Sequence, residues 1–453
     1  MKPLVIRSAL VASLGGLIFG FDTAVISGAE KQIQSVFGLS DGMLGFTVTT
    51  ALIGTIIGAM AAGKPADQYG RKKALFAIGI LYVVSAIGCA FAPNVWVLQF
   101  FRFVGGLGVG ASSVCAPIYT AEVAPRRNRG KLVGLVQFNI VLGILVAYAS
   151  NAVIRAIMQG EDAWRWMLGI MVVPAAIFVL LLFTVPETPR WLMSKGREAE
   201  ARTISERLCM TKEESDAQLA EISAALADSK NASSVPFFTR GHRKVIMMAI
   251  AIAFFNQMSG INAILYYAPR VMQQAGAAEN TAYLMSVGVG AMNLVATMAA
   301  LTVIDRIGRR KLMIVGSLGY LVSLGFLAGV MFYYENVGFD STSSMLVLLG
   351  LMVFIASHAF GQGSVIWVFI SEIFPNRIRG RGQSLGSLTH WVFAAATSFA
   401  FPPVIGALGG GVAFSIFFIA MLGQLIWVLR VMPETKGVPL EEMEAKLGLV
   451  AAK

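Results

Sequence analysis

The sequence predicts an all-α membrane protein of twelve transmembrane helices in two six-helix bundles, with short cytoplasmic helices between the halves and at the C-terminus. Three observations carry this expectation. Hydrophobic residues make up 56% of the 453 and charged residues 13%, with a mean hydropathy of +0.71, where soluble domains carry about 25% charged residues. Twelve apolar runs reach the ~20 residues that a helix needs to cross the hydrocarbon core. Finally, three charged motifs occur twice in the same order, which marks a duplicated unit.

Those motifs fix the register of the repeat. Asp67-Gln68-Tyr69-Gly70-Arg71-Lys72-Lys73 returns as Asp305-Arg306-Ile307-Gly308-Arg309-Arg310-Lys311. Glu122-Val123-Ala124-Pro125-Arg126-Arg127-Asn128-Arg129-Gly130 returns as Glu372-Ile373-Phe374-Pro375-Asn376-Arg377-Ile378-Arg379-Gly380, and Pro186-Glu187-Thr188 returns as Pro433-Glu434-Thr435. The apolar runs fall at 8–28, 43–63, 74–92, 95–119, 131–153 and 165–185, then at 245–274, 281–304, 312–334, 345–371, 383–404 and 411–431. The first run carries Asp22 and is long for a signal peptide, so it is read as a span. The domain boundaries that follow are 1–189 for the first bundle, 190–243 for linker helices, 244–437 for the second bundle and 438–453 for a tail helix. Within the linker, 197–208 and 212–226 have amphipathic spacing.

Lys and Arg concentrate in alternate loops, while the loops at 92–94 and 401–411 carry no charge. By the positive-inside tendency the basic loops, and both termini, face the cytoplasm of a cell inner membrane. The net charge of +11 is therefore topological and no nucleic-acid partner is expected. Cys89, Cys115 and Cys209 have no pairing symmetry or metal-ligand spacing, so no disulfide, metal or cofactor is expected. Gly106-Leu107-Gly108-Val109-Gly110 lies within a span with no strand before it and is read as a helix-packing stripe. No catalytic constellation is present, which argues against an enzyme.

Acids contribute little to topology, so their recurrence beside the basic residues implies specific pairing. The expected network comprises Asp67, Arg71, Glu122, Arg129, Glu187 and Arg190 in the first half, with Asp305, Arg309, Glu372, Arg379 and Glu434 in the second. It is expected to latch the halves together on the cytoplasmic side in one state and release them in another. Inside the spans, Asp22 and Arg102 are ionisable and costly to bury. They are either a self-neutralising pair or a functional one.

The motifs Asp67-x-x-Gly70-Arg71-Lys72, Glu122 to Gly130, Pro186 to Arg190 and Pro433 to Gly437 together resemble the sugar porter family of the major facilitator superfamily, over essentially the whole chain. The resemblance implies two bundles around a midplane sugar site worked by alternating access. It assigns Asp22 to the position of the proton-coupling Asp of sugar symporters, where facilitative carriers commonly have Asn, and Arg102 to its partner. Withdrawal from water favours a neutral acid and a nearby guanidinium a charged one, so movement of Arg102 would load or release a proton. The resemblance places Gln137, Asn256, Gln257, Asn262, Asn293, Trp367, His390 and Trp391 at sugar-binding positions and Tyr266 and Tyr267 at an extracellular gate. The Ser259-Gly260 pair is expected to interrupt its helix and turn amides toward a cavity.

Three positions depart from the family pattern. Asn256 stands where Gln is common, His390 where Asn or Gln is usual, and His358 where an aromatic is common. Each His is either a neutral hydrogen-bonding residue or a second titrating site; His242 is read as interfacial. The expected activity is proton-coupled symport of a neutral pentose or hexose by a monomer in the lipid bilayer, with monosaccharide and proton as partners. The alternatives are a facilitative sugar or polyol uniporter and a non-transporting sensor.

Overall fold

The computed structural model describes residues 1–231, 236–375 and 377–438, together with positions 443 and 447. Among these, every regular element is helical. The tail helix expected within 438–453 lies almost wholly outside the described residues.

Eleven helices are long and apolar enough to cross a membrane. One of them, Arg379–Arg430, runs for 52 residues and is broken at Gly409, with φ 81° and ψ 167°. Because ~20 residues suffice to cross, this helix supplies two spans and the total is twelve. The first six are Pro3–Val36, Asp41–Ala61, Arg71–Ala90, Val95–Val123, Arg129–Ile157 and Ala163–Leu182. The seventh to tenth are Arg243–Gln274, Glu279–Ile307, Arg309–Val337 and Ser341–Ile373.

Several helices outrun their apolar windows, the first reaching Val36 rather than residue 28. Polar residues leave the hydrocarbon without having to leave the helix. Side chains mark where the helices start: Asn94 accepts from Val97 N ahead of the fourth span. Asp340 and Ser343 form a reciprocal capping box ahead of the tenth, each satisfying a backbone donor that the first turn leaves open.

The seventh and tenth spans are interrupted near mid-length. The seventh divides into Arg243–Met258 and Ile261–Gln274 around Ser259 and a left-handed Gly260. Ser259 Oγ donates to Asn256 O at 2.6 Å and accepts from Ile261 N at 3.3 Å, covering groups freed by the break. The tenth contains a π-helical turn, Ala359–Gly363, a rare geometry that gathers at functional sites.

The chain falls into two compact units that cut across the sequence repeat. One comprises Met1–Val25, Thr50–Ala147 and Trp164–Ser234; the other comprises Ile26–Thr49, Tyr148–Ala163 and Val235–Lys453. One end of each of the first, second and fifth spans thus belongs with the second half. In the first unit, a Cβ on Gly106 or Gly110 would collide with the carbonyls of Ala51 and Thr55, so this stripe is indeed a packing surface. The linker helices Pro189–Ser194, Glu198–Leu208 and Lys212–Asn231 pack through Trp191, Leu192, Ala201 and Leu219. Trp191 Nε1 also donates to Asp67 O at 3.0 Å.

Candidate functional site

The duplicated charged motifs fold into duplicated clusters. In the first unit Arg71 Nη2 pairs with Asp67 at 2.8 Å and Arg71 Nε with Glu122 at 3.1 Å, while Thr188 Oγ1 donates to Glu122 at 2.6 Å. In the second unit Arg309 Nη2 pairs with Asp305 at 3.1 Å and with Glu372 at 2.8 Å, and Thr435 Oγ1 donates to Glu372 at 2.6 Å. The ion pairs named here join residues of one and the same unit.

Five of the expected network residues stand apart from these close ion pairs. Glu187 accepts from Lys72 N at 3.1 Å, and Glu434 accepts from Arg309 N and Arg310 N at 2.9 and 3.1 Å. These two acids cap the open N-termini of the third and ninth spans, where unpaired N–H groups favour negative charge. Gly70 and Gly308 make the caps possible. Their φ values of 112° and 99° are hostile to side chains, and a Cβ on either would strike the carboxylate. Burial pushes the Glu187 carboxyl up from its ordinary value, outweighing its backbone donors. Around the more exposed Glu434 the burial effect is overcome by donors from Lys436, Arg309, Arg310 and Thr435, which hold it down. Arg190 reaches Glu122 only at 4.0 Å and is half exposed. Arg129 Nε and Arg379 Nε and Nη2 are buried without a hydrogen-bond partner among the described residues.

Within the spans of the first unit, Arg102 Nη1 meets Asp22 Oδ1 at 3.1 Å, with both residues buried. Among the described residues this is the only hydrogen bond between them, and Arg102 Nε has no partner there. Gln137 is half-buried on the fifth span. Asn139, two residues on, was not anticipated; its amide donates to Ser13 Oγ at 3.0 Å and ties the fifth span to the first.

The second unit gathers the predicted amides and rings. Gln257 Nε2 donates to Asn256 Oδ1 at 2.9 Å and lies 3.2 and 3.3 Å from the two ring nitrogens of His390. His390 is flanked by Trp367 and Trp391, with ring centroids 5.1 and 4.8 Å away. Gln257 Oε1 and Asn262 Nδ2, on either side of the Ser259-Gly260 break, are buried with no hydrogen-bond partner among the described residues. Asn293 accepts from Thr297 Oγ1 at 3.3 Å. Tyr266 is buried, and Tyr267 donates to Ser398 O at 3.2 Å while stacking on Phe401. His358 Nδ1 lies 2.6 Å from the Tyr320 hydroxyl, and His242 Nδ1 3.0 Å from Phe237 O.

Three polar groupings of this unit were missed in the sequence. Arg270 forks onto Glu30, with Nε at 2.9 Å from Oε1 and Nη2 at 2.6 Å from Oε2, and it also reaches Gln34. Arg155 pairs with Glu279 at 2.9 Å, and the hydroxyls of Tyr148 and Tyr283 donate to Leu265 O and Gly28 O, both at 2.6 Å. The apolar window ended the first span before Glu30, which hid the acid in a supposed loop; Arg270, a lone base inside the seventh run, was the available signal. At the π-helical turn, Gln362 Nε2 donates to Gln424 Oε1 at 2.6 Å and Gln424 Nε2 to Ser317 Oγ at 2.8 Å. Among the described residues, no group of three or more His, Cys, Asp or Glu is placed to hold a metal.

Comparison with known proteins places this arrangement. The family described as Sugar (and other) transporter matches residues 8–447. The D-xylose-proton symporter of Escherichia coli K12 is 35% identical, with 96% of this chain and 94% of that protein covered. The arabinose-proton symporter of Bacillus subtilis is also 35% identical, covering 97% and 94%. Among solved structures, the partially occluded inward open conformation of the xylose transporter XylE from E. coli superposes with a TM-score of 0.84 at 33% identity, covering 96% of this chain and 99% of that one. The proton:xylose symporter XylE bound to 6-bromo-6-deoxy-D-glucose gives 0.78 at 33% identity, covering 98% and 99%.

Proposed function

From the premise that the chain belongs to the sugar transporter family, as a multi-pass membrane protein of the major facilitator fold, we propose that it carries a neutral pentose or hexose across the cytoplasmic membrane together with a proton. Relatives named as xylose-proton and arabinose-proton symporters support the pairing of substrate and ion. The observation that carries the reading in this chain is the Asp22–Arg102 pair. It is buried, yet it is held by a single hydrogen bond of 3.1 Å. A buried acid with one separable partner can exchange charge for a proton when the guanidinium moves, because burial favours the neutral form and the guanidinium the ionised one.

The amides of the second unit supply sugar recognition. Gln257 Oε1 accepts and Asn262 Nδ2 donates, and a buried polar atom without a partner is a standing cost that a hydroxyl removes. Asn293, Trp367 and Trp391 of the same unit contribute further polar and apolar surface, a mixture suited to the hydroxyl edges and CH faces of a sugar ring. Tyr266 and Tyr267 gate the outer side. Asp67, Arg71, Glu122 and their counterparts stabilise the cytoplasmic ends, with both termini inside, and the monomer is the working unit.

One proton crossing 100 mV contributes about 2.3 kcal/mol, enough for roughly 50-fold accumulation at about 1.4 kcal/mol per decade. Proteoliposomes with acid outside, offered xylose, arabinose, glucose, galactose and inositol in turn, test this. At least one compound is expected to accumulate above equilibrium and to alkalinise the medium on addition. Uptake that only equilibrates, or no uptake at all, overturns the proposal.

A further inference from the structure

Two of the three departures from the family pattern, Asn256 and His390, converge on one side chain. Gln257 is 1% exposed. Its Nε2 lies 2.9 Å from Asn256 Oδ1 and within 3.3 Å of either ring nitrogen of His390. An amide nitrogen has two hydrogens and accepts nothing, so toward the imidazole, whose two nitrogens are almost equidistant from it, it can only donate, and a neutral ring suits that contact. Both amide hydrogens are then committed. What Gln257 has left is Oε1, buried and without a partner.

We propose that Asn256 and His390 are positioning residues that hold the Gln257 amide with its nitrogen turned away and its carbonyl offered, so that this position accepts only from a sugar hydroxyl able to donate. The proposal rests on the reading of Gln257 as part of the sugar site. A hydroxyl is ordinarily ambivalent, donating or accepting as its neighbour requires, and a free glutamine is ambivalent too. Committing both hydrogens removes the second choice. Trp367 and Trp391 wall the imidazole on two sides, at interplanar angles of 53° and 87°, which limits its freedom to swing off the amide. Discrimination of this kind is steep, because an analogue unable to donate leaves the buried carbonyl unsatisfied.

The test uses the full-length protein in proteoliposomes and reads competition against counterflow of whichever sugar it carries. The competitors are that sugar's singly deoxygenated and singly fluorinated analogues. Fluorine is close in size to a hydroxyl but cannot donate. At one carbon the fluorinated analogue is expected to compete as poorly as the deoxygenated one, both about tenfold or more weaker than the parent. In His390→Phe, which keeps a ring but removes the acceptor, the freed amide hydrogen should let the fluorinated analogue gain at least ~3-fold over the deoxygenated one. His390→Gln, which restores an acceptor, should return the native pattern and guards against a folding defect in the Phe variant. A fluorinated analogue that outcompetes its deoxygenated partner at every carbon of the native protein overturns the inference, as does an unchanged pattern in His390→Phe with His390→Gln active. Absence of counterflow with any sugar overturns it differently, by removing the sugar-site reading on which it stands.

Discussion

Asp22 and Glu30 lie eight residues apart on the same helix, at 4% and 1% exposure, and each faces an arginine from a distant span. Their partnerships differ in kind. Arg270 grips Glu30 through both carboxylate oxygens and adds Gln34 and, at 3.9 Å, Asp41. Arg102 touches Asp22 through one nitrogen and leaves its Nε idle. Bidentate, charge-assisted contact gives strength and fixed geometry; a single contact between buried charges leaves the pair separable. The lesson is that burial alone does not mark a switch. The tighter pair is read as a fastening and the looser as the proton site.

Variants can break this contrast at several points. Arg270→Ala should have the largest effect on stability, about 3–5 kcal/mol, since it strands a buried acid; the thermal midpoint in detergent measures it. A change within error would mean that Glu30 is held by something else. Glu30→Gln keeps the shape and one acceptor, so a loss of about 1.5–3 kcal/mol is expected. It should still accumulate sugar against a gradient, and failure to do so would make Glu30 a second coupling acid.

The duplicated caps sharpen the contrast on a smaller scale, of order 1 kcal/mol. The folded-state value of Glu434 is lowered, so its contribution is present above the ordinary value of 4.5 and is lost as pH falls through the lowered one. The folded-state value of Glu187 is raised, so its contribution is complete below 4.5 and is lost as pH rises through the raised one. Thermal midpoints from pH 8 to pH 4 should therefore show Glu434→Gln losing its deficit against the native protein on acidification. Glu187→Gln should show a relative gain at the alkaline end. Identical profiles for the two variants would dissolve the distinction.

Much of this was legible in the sequence because it is local or repeated. Twelve apolar windows become twelve spans, and the Ser259-Gly260 break lies where the two residues suggested. Even the merged Arg379–Arg430 helix was separable by length alone. Asp22 and Arg102 stood out because each is a charge in an otherwise apolar run. Glu30–Arg270 and the hold of His390 on Gln257 were not legible, since they join residues 240 and 133 positions apart. No periodicity encodes which face of one span meets which face of another. The caps were half legible: Glu187 and Glu434 were recognised as recurring, but the positive φ of Gly70 and Gly308 that turns each into a cap is a property of the backbone. Hydropathy also trimmed the charged helix ends, where the Glu30 grouping lies.

The central claim, that the proton rides on the loosely held acid while the sugar is recognised elsewhere, is tested most directly by Asp22→Asn in proteoliposomes. Counterflow of labelled sugar and sugar-induced alkalinisation of the medium are measured on the same preparation. Counterflow should persist, with alkalinisation abolished and accumulation falling from as much as roughly 50-fold to equilibrium. Undiminished alkalinisation and accumulation in Asp22→Asn would contradict the account.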